Sequence, residues 1–276
     1  MKNYLLNCGG KLLSLEMPVV MGVINITDNS FYEGSRYVSP ISVKQQINKM
    51  LSEGSSIIDI GASSSKPGSK SVDVQTEMKH VLMALEIAKT CNDSIPVSID
   101  TTHAIIADAA LRNGAHIIND ISGGTNEMYE VVKKYNATYV LMHIQGVPET
   151  MQQNPQYDDV VAEVMDYFSQ KLALLKSYNI DVILDVGFGF GKTVAHNYSL
   201  LKSLPCFSIF DKPLLAGISR KSMITRVLEV APKDALHGTG VLHTLALMQG
   251  ACILRAHDVA EANQCISLYN QFIKAD

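Results

Sequence analysis

Three polar side chains of this 276-residue chain, Asp100, Asn119 and Asp185, stand at or near the ends of separate short apolar runs. Two carboxylates and an amide, brought together, match the edge of a flat ring that presents several N–H donors and a carbonyl. A buried site that hydrogen-bonds such a ring rejects analogues lacking those groups, because its own polar atoms would be left unpaired. The sequence therefore predicts a pocket for a flat, nitrogen-rich ring.

Basic and small polar residues near the ends of other runs add an anion site to this pocket. Lys221 supplies a cation for a ring carbonyl or nitrogen, and Arg255 offers a planar guanidinium that can stack on the ring and reach a phosphate. Asn25, Ser64 and His257 follow similar runs. We therefore predict that the ligand carries a phosphate group, bound without a Walker motif.

Each polar residue also has a structural alternative. An Asp after a strand is commonly a helix N-cap, which suits Asp100 and, at the start of the final helix, Asp258. The alternative for Asp59 and Asp120 is a place behind the pocket, where they hold loops. His143 is equally a packed, hydrogen-bonded residue or a catalytic one. Because polar residues from the ends of several runs could face one ligand, we favour a role in ligand binding over these structural alternatives.

The segment Gly187–Thr193 resembles a phosphate-binding loop in its glycines and its Lys-Thr ending. The Walker pattern places four residues between its first glycine and the Gly-Lys pair, whereas only three separate Gly187 from Gly191. We interpret the segment as a flexible active-site loop and exclude an NTPase.

These residues are distributed over eight short apolar runs that alternate with longer stretches, two of which, Val72–Cys91 and Val161–Ser177, show a clear helical stripe. Continuous apolar runs are typical of parallel strands buried on both faces. The runs are Val19–Ile24, Ile57–Ile60, Pro96–Ile99, His116–Ile121, Thr138–Leu141, Val182–Leu184, Leu214–Ile218 and Cys252–Ala256.

Eight βα units in order, with no linker between them, predict an α/β fold: one (β/α)₈ TIM barrel domain over residues 1–276, with its pocket at the carboxyl ends of the strands. A short N-terminal β-hairpin is predicted from Tyr4–Asn7 and Leu12–Leu15, which flank a glycine pair. The alternative, an open doubly wound sheet, would want a Gly-rich dinucleotide turn after its first strand, and Gly22–Asn25 is not one.

Charge and composition limit the partners. The net charge is −4 without a basic block, so a nucleic-acid surface has no electrostatic basis. No apolar stretch approaches the roughly 20 residues of a membrane span, and Glu16 and Pro18 interrupt any signal-like run. Five scattered cysteines without a Cys-x-x-Cys pair suit a reducing compartment. We expect a cytoplasmic protein that binds small molecules, not nucleic acid or membrane.

With these residues in order, the sequence resembles the dihydropteroate synthase family over nearly its whole length. The matching segments are Met21–Thr27, Val97–Thr101, Ile117–Asp120, Leu141–His143, Gly187–Thr193, Ser219–Ser222 and Arg255–Asp258. The resemblance implies a folate-pathway transferase. Its reaction joins 6-hydroxymethyl-7,8-dihydropterin pyrophosphate to p-aminobenzoate, giving 7,8-dihydropteroate and pyrophosphate, with sulfonamides as mimics of the second substrate.

The resemblance also implies roles for individual residues. Catalytic roles fall on Lys221, Arg255, His257 and Asn25, of which Asn25 would meet the pyrophosphate through Mg²⁺ as the metal ligand. Arg255 would stack on the pterin, and His257 would meet the pyrophosphate. Substrate-binding roles fall on Asp100, Asn119, Asp185, Met142, Lys221, Arg255, Ser64, Ser65, Lys66, Phe190, Gly217 and Ser222, with Ser65, Lys66, Phe190 and Ser222 around p-aminobenzoate.

Departures from the family pattern cluster in two loops. Asp28 and Asn29 replace the usual Pro-Asp, and Ser65-Lys66 replaces Thr-Arg. Losing the proline frees the loop backbone, and a lysine point charge cannot make the bidentate contact of an arginine. Two hypotheses stay open: an active synthase with altered p-aminobenzoate loops, or a pterin-binding relative with lost or altered catalysis.

A third hypothesis, a pterin-dependent methyltransferase, is disfavoured by Ser219–Ser222 and Arg255–His257, since a methyl carrier has no pyrophosphate to bind. The family's habit of dimerising makes a homodimer possible. The last two helical stretches carry apolar residues that either form such an interface or pack on the barrel: Leu242, Leu245, Leu247, Met248, Ile266 and Leu268.

Overall fold

The computed structural model describes residues 2–26, 39–62, 72–148 and 150–275. Its largest unit is a closed barrel of eight strands that pair in parallel, in the order β10-β3-β4-β5-β6-β7-β8-β9. The barrel strands are β3 (Val19–Asn25), β4 (Ile57–Gly61), β5 (Val97–Asp100), β6 (Ile117–Asp120), β7 (Thr138–Met142), β8 (Val182–Asp185), β9 (Leu214–Ala216) and β10 (Ile253–Ala256). The predicted (β/α)₈ barrel is confirmed.

Helices connect the strands and cover the barrel. They are α1 (Pro40–Ser52), α2 (Val74–Cys91), α3 (Ala104–Arg112), α4 (Asn126–Lys134), α5 (Val160–Leu175), α6 (Val194–Lys202), α7 (Ser222–Leu228), α8 (Leu236–Met248) and α9 (Val259–Ile273), with 3₁₀ turns at Leu204–Phe210 and Pro232–Asp234. The two stretches with a helical stripe became α2 and α5. Asp73 and Asp159 accept backbone N–H bonds at the starts of these two helices, as N-caps do.

The predicted hairpin forms from β1 (Leu5–Cys8) and β2 (Lys11–Ser14), which pair antiparallel. Gly9 and Gly10 turn the chain with φ of 57° and 95°, a region that glycine enters without steric penalty. Side chains of the hairpin pack on the residues that begin the barrel strands. This buried apolar cluster comprises Leu6, Cys8, Leu13, Leu15, Met21, Ile57, Ile117, Val140, Ile183, Leu215, Cys252 and Ile253.

Strand pairing sets which residues meet at the other end of the barrel. Gly61 pairs with Asp100, Asp100 with Asn119, and Met142 with Asp185, so these three strand pairs carry polar groups at their carboxyl ends. The barrel closes where β10 pairs with β3, which brings Arg255 opposite Met21. Within the described ranges, no helix combines the length and apolar composition that crossing a membrane requires.

Candidate active site

A network of charged side chains forms the floor of a pocket at the carboxyl ends of the strands. Arg255 of β10 donates from Nε to Asp59 Oδ2 and from Nη2 to Asp100 Oδ2, each over 2.7 Å. Asn119 of β6 donates from Nδ2 to the same Asp59 oxygen over 3.2 Å. We call Asp59, Asp100, Asn119, Asp185 and Arg255 the floor.

A glycine allows the floor to be this compact. A Cβ on Gly61 would lie 3.3 Å from Asn25 Oδ1 and 3.4 Å from the Cβ of Asp100. Both distances are tighter than ordinary van der Waals contact, so glycine at the end of β4 leaves room for its two neighbours. Asn25, half-buried at the end of β3, and Asp100 therefore both lie against Gly61, so the Asn25 amide oxygen stands beside the floor.

Burial governs the ionisation of the floor. It raises the pKa of the Asp100 carboxyl above its ordinary value, and the facing Arg255 guanidinium opposes this shift. Asp59 is fully buried, and its Oδ1 has no hydrogen-bond partner in the part of the chain that the structure describes. A fully buried Asp59 fits the alternative that it lies behind the pocket, but it holds the side chains of Arg255 and Asn119 instead of a loop.

Asp120, by contrast, does hold a loop. Its Oδ1 accepts from the backbone N–H and the hydroxyl of Ser122, over 2.8 Å and 2.6 Å, and its Oδ2 accepts from Tyr139 Oη over 3.0 Å. This carboxylate therefore fixes the turn that follows β6 and lies outside the floor.

Asp185 and Lys221 stand across the pocket from Asp59. The Asp185 carboxylate accepts from the Gly187 N–H over 2.8 Å, and Lys221 Nζ donates to the Phe188 carbonyl. Burial raises the pKa of Asp185, which Lys221 opposes, and burial lowers the pKa of Lys221 to about 8. A Cβ on Gly217 would lie 3.7 Å from both Asp185 Oδ2 and Lys221 Nζ, so this glycine borders the space between them.

An apolar wall lies beside the charged groups. Met142 and Phe190 are buried together in a small cluster with Ile121 and Met151, separate from the main core. The Lys221 ammonium stands 4.5 Å from the centroid of the Phe190 ring, a cation–π distance. The pocket therefore combines a polar floor with an aromatic surface next to its lysine.

The loop Gly187–Thr193 is anchored, which corrects the prediction of a flexible loop. Lys192 is 2% exposed, and its Nζ contacts His143 Nδ1 and the carbonyls of His143, Gly187 and Phe190 at 2.9–3.3 Å. Burial lowers the pKa of Lys192 to about 7 and that of His143 to about 3. Of the two alternatives for His143, the structure supports the packed, hydrogen-bonded one.

The segment after β9 is built around an ion pair. Arg220, with φ of 56°, donates from Nε and Nη2 to the two carboxylate oxygens of Asp258 over 2.8 Å and 2.9 Å. Asp258 occupies the N-cap position of α9, but its side chain makes no cap hydrogen bond there. The expectation that Asp258 caps the final helix is therefore wrong for its side chain. His257 Nδ1 lies 3.1 Å from Ser219 Oγ.

The remaining predicted residues divide by position. Asp100 precedes α3, but the N-cap of that helix is His103, so the cap alternative for Asp100 is wrong. Ser222 is the exposed first residue of α7. Ser64, Ser65 and Lys66, like the altered Asp28 and Asn29, lie outside the described residues.

Sequence reasoning missed two partners in this region. Asp59 was not predicted to pair with Arg255, and no role was predicted for Lys192, which is buried. The signal for Asp59 was available, because a carboxylate inside an apolar strand needs a buried counterion and Arg255 was already assigned to the pocket. Nothing in the spacing around Lys192 revealed that its partners are His143 and two carbonyls of its own loop.

Comparison with known proteins relates this pocket to one family. The family model described as "Pterin binding enzyme" matches residues 21–257. Dihydropteroate synthase of Escherichia coli (strain K12) is 40% identical over 270 residues, which cover 96% of this chain and 95% of that protein.

Solved structures agree in fold and length. Yersinia pestis dihydropteroate synthase, in a sulfonamide drug complex, superposes with a TM-score of 0.94 at 36% identity over 99% of this chain and 100% of that one. Xanthomonas albilineans dihydropteroate synthase with 4-aminobenzoic acid gives a TM-score of 0.91 at 32% identity, covering 100% of both chains.

Proposed function

Since this chain belongs to the pterin-binding enzymes and, among them, to the dihydropteroate synthases, we propose how its described residues perform the family's reaction. The enzyme is a transferase of folate biosynthesis. It condenses 6-hydroxymethyl-7,8-dihydropterin pyrophosphate with p-aminobenzoate to give 7,8-dihydropteroate and pyrophosphate. The observation that carries this assignment is a family match that runs from β3 to the end of β10 and includes every floor residue.

The floor is proposed to bind the pterin. Asp100, Asn119 and Asp185 provide acceptors and an amide for the donor edge of the ring, and Lys221 donates to a ring carbonyl or nitrogen. The carboxylates of Asp59 and Asp100 hold the Arg255 guanidinium in place. A fixed guanidinium is suited to stacking on a flat ring, because little side-chain entropy remains to be lost on binding. Met142 and Gly217 complete the contact surface.

The chemistry breaks one C–O bond and forms one C–N bond. The amine of p-aminobenzoate attacks the methylene carbon of the pterin, pyrophosphate departs with the bonding electrons, and the amine loses one proton. Positive charge on Arg255 and hydrogen bonding by His257 stabilise the departing anion. No nucleophilic residue of the protein is needed, because the second substrate supplies the nucleophile.

The pocket is compatible with a Mg²⁺ ion that is bound mainly by the pyrophosphate group of the substrate. Mg²⁺ usually keeps several waters and takes one or two protein oxygens besides substrate phosphates. The Asn25 amide oxygen beside the floor is one such neutral ligand, and the described residues contain no group of three or more His, Cys, Asp or Glu that would hold a metal ion. When bound, Mg²⁺ would neutralise charge on the leaving pyrophosphate.

The apolar wall is proposed to receive p-aminobenzoate. Phe190 offers an aromatic surface next to Lys221, and Ser222 begins α7 nearby in the chain. Ser64, Ser65 and Lys66 are proposed to complete this side. Sulfonamides, as mimics of p-aminobenzoate, are expected to compete for the same surface.

The decisive experiment measures pyrophosphate release by the purified protein with both substrates and Mg²⁺. We expect turnover that depends on p-aminobenzoate and that falls to background in a Lys221→Ala control. Absence of turnover above that control would overturn the proposal. Calorimetry then separates the alternative, because tight pterin-pyrophosphate binding without a response to p-aminobenzoate identifies a relative that has lost catalysis.

A homodimer is proposed through α8 and α9. Val241, Leu245 and Met248 form a stripe along α8, and Leu268 and Phe272 lie one turn apart on α9, all of them exposed. Exposed apolar side chains at helical spacing on these two helices support an interface here, since a large exposed apolar patch is typical of one. Sedimentation of the wild type and of Leu245→Glu tests it: a dimer that becomes monomeric in the variant is expected, and a wild-type monomer contradicts it.

Cytoplasmic location and a single folding unit are also proposed. The five cysteines are unpaired, and one buried core links the helices to the barrel. Cell fractionation tests the first proposal, and one coincident unfolding transition seen by two probes tests the second.

A further inference from the structure

Lys192 is a buried amine that the proposed reaction does not use. Its four hydrogen-bonding partners are all neutral: His143 Nδ1 at 2.9 Å, the Gly187 and Phe190 carbonyls at 3.0 Å, and the His143 carbonyl at 3.3 Å. Burying an ammonium costs stability unless its donors are satisfied. The Lys192 amine is buried with its donors satisfied by two separate segments, so its position indicates a tie between those segments.

The partners of Lys192 show which segments it joins. Two of its carbonyl acceptors belong to the loop Gly187–Thr193 itself, and His143 belongs to the segment that follows β7. Gly187 adopts φ of 71°, and a Cβ there would overlap the His143 carbonyl oxygen. The ammonium therefore closes the loop around itself and ties it to the β7 end.

Other residues hold the same loop from outside. Tyr157 Oη donates to the Gly191 carbonyl over 2.8 Å, Gln152 donates to the Gly189 carbonyl, and Asn197 Oδ1 accepts from the Gly189 N–H over 2.7 Å. With both sides fixed, the loop presents the Phe188 carbonyl to Lys221 Nζ and the Phe190 ring beside the same ammonium.

We propose that Lys192, acting through the loop it closes, is a positioning residue that places Phe190 against Lys221 and thereby sets binding of the second substrate. The inference rests on the proposed function, which identifies that substrate as p-aminobenzoate. Of the residues assigned to the pterin, Asp185 and Lys221 contact this loop, through the Gly187 N–H and the Phe188 carbonyl. The hydrogen bonds described above for Asp100, Asn119 and Arg255 instead join these three residues to one another and to Asp59. Loss of Lys192 should therefore disturb p-aminobenzoate more than the pterin.

Lys192→Met tests the proposal, because methionine keeps the length of the chain and removes the donors. We expect KM for p-aminobenzoate to rise about 10-fold or more, which corresponds to roughly 1.4 kcal/mol. The Kd of the pterin pyrophosphate, measured by calorimetry without p-aminobenzoate, should rise clearly less, by about 3-fold at most, because Asp185 and Lys221 contact the loop but Asp100, Asn119 and Arg255 are held by one another and by Asp59. Equal losses for both ligands, or an unchanged KM, would overturn the inference.

Lys171→Met is the matched control. Lys171 Nζ is also partly buried and donates to carbonyls, those of Gly123 and Gly124, and to Tyr129 Oη, but it serves the loop after β6. We expect this variant to leave KM for p-aminobenzoate unchanged. An increase equal to that of Lys192→Met would contradict a specific role for Lys192.

His143 supplies a second pair of variants that decides the matter if Lys192→Met does not fold. His143→Leu removes the one side-chain acceptor and keeps the three carbonyls, so a smaller rise in KM for p-aminobenzoate is expected. His143→Gln offers an amide oxygen to the ammonium and should restore KM. Failure of His143→Gln to improve on His143→Leu would overturn the inference.

Hydrogen exchange separates this inference from the proposed function. Lys192→Met should speed amide exchange in residues 187–193 and leave residues 121–125 unchanged, and Lys171→Met should do the reverse. This result does not depend on turnover. A wild type that fails to release pyrophosphate refutes the proposed function, whereas unchanged exchange in residues 187–193 refutes the role of Lys192.

Discussion

The two ends of the barrel are built from the same eight strands, yet their side chains are of opposite kinds. At the amino end, the hairpin packs Leu6, Leu13 and Leu15 onto apolar residues that begin the strands. At the carboxyl end, the same strands finish in carboxylates, an amide and an arginine that are largely removed from water. Burial of apolar side chains at the amino end stabilises the fold, whereas burial of charged groups at the carboxyl end destabilises it.

This difference shows that the amino end of the barrel contributes to folding stability, whereas the carboxyl end provides the ligand-binding groups at a cost in stability. Burying apolar surface contributes about 25 cal/mol per Å², whereas burying charges is unfavourable unless they are paired. The raised pKa of Asp100 and the lowered pKa of Lys221 both record that unfavourable burial. The comparison predicts that substitutions at the two ends separate stability from activity.

Arg255→Met should have the largest effect, because it should lower both the stability of the protein and its turnover. It leaves Asp59 and Asp100 facing each other without their cation, which should cost about 3–5 kcal/mol of unfolding free energy. Turnover should fall about 10²–10³-fold with the loss of charge stabilisation. Unfolding and pyrophosphate-release assays measure the two effects. Adding Asp59→Asn should recover part of the stability and none of the activity, and recovery of activity would contradict the assignment.

Leu15→Ala should have a large effect on stability alone. Leu15 is fully buried in the hairpin cluster, so the cavity should cost about 2–5 kcal/mol, read from denaturant unfolding. At a temperature where the variant stays folded, kcat/KM should remain within about 2-fold of wild type. Leu12→Ala, at an exposed position of the same hairpin, is the control and should change neither quantity. A loss of activity in folded Leu15→Ala would break the comparison.

The pH dependence of kcat/KM for the pterin substrate should show the deprotonation of Lys221 at the carboxyl end of the barrel. Burial lowers the pKa of Lys221 from 10.5 to about 8, so its positive charge is lost as pH rises through that value. Above it, kcat/KM should fall about 10-fold per pH unit. Lys221→Arg, whose guanidinium stays protonated, should move this alkaline limb upward while lowering the maximum. An alkaline limb that stays in place in Lys221→Arg would exclude Lys221 as its origin.

Asp181→Ala should have the smallest effect. The Asp181 carboxylate accepts from the Asn7 N–H over 2.9 Å and so pins the hairpin to the barrel. Its loss should cost about 1 kcal/mol, or roughly 2–4 °C in Tm for a chain of this size. Activity should be unchanged. A clear fall in turnover of the folded variant would contradict this expectation and would show that the two ends of the barrel are coupled.

The strands and the polar ends were predictable because both depend on local pattern. Each of the eight apolar runs became a barrel strand, although the run Leu214–Ile218 ends as a strand at Ala216. A strand buried on both faces requires a continuous apolar sequence, and this pattern can be recognised in a single sequence.

The pairings inside the site were not predictable, because they depend on closure and register. Asp59 meets Arg255 only when β10 closes against β3 and turns its guanidinium inward. Asp258 looked like a cap and instead pairs with Arg220, since the 3₁₀ turn at Pro232–Asp234 and β10 bring the two together. The loop Gly187–Thr193 was wrongly predicted to be flexible, because three of the four partners of Lys192 are backbone carbonyls, which no side-chain pattern encodes.

The distance along the chain between Asp59 and its cation has a consequence for synthesis on the ribosome. Arg255 follows Asp59 by 196 residues, and Asp181, which pins the hairpin, follows Asn7 by 174. A nascent chain therefore carries the Asp59 carboxylate without its counterion through most of its translation. The hydrogen bond that pins the hairpin cannot form until the chain has reached Asp181, just before β8, and Asp59 and Asp100 gain their guanidinium partner only when the last strand emerges. Completion of the barrel and completion of the ligand pocket are thus one late event.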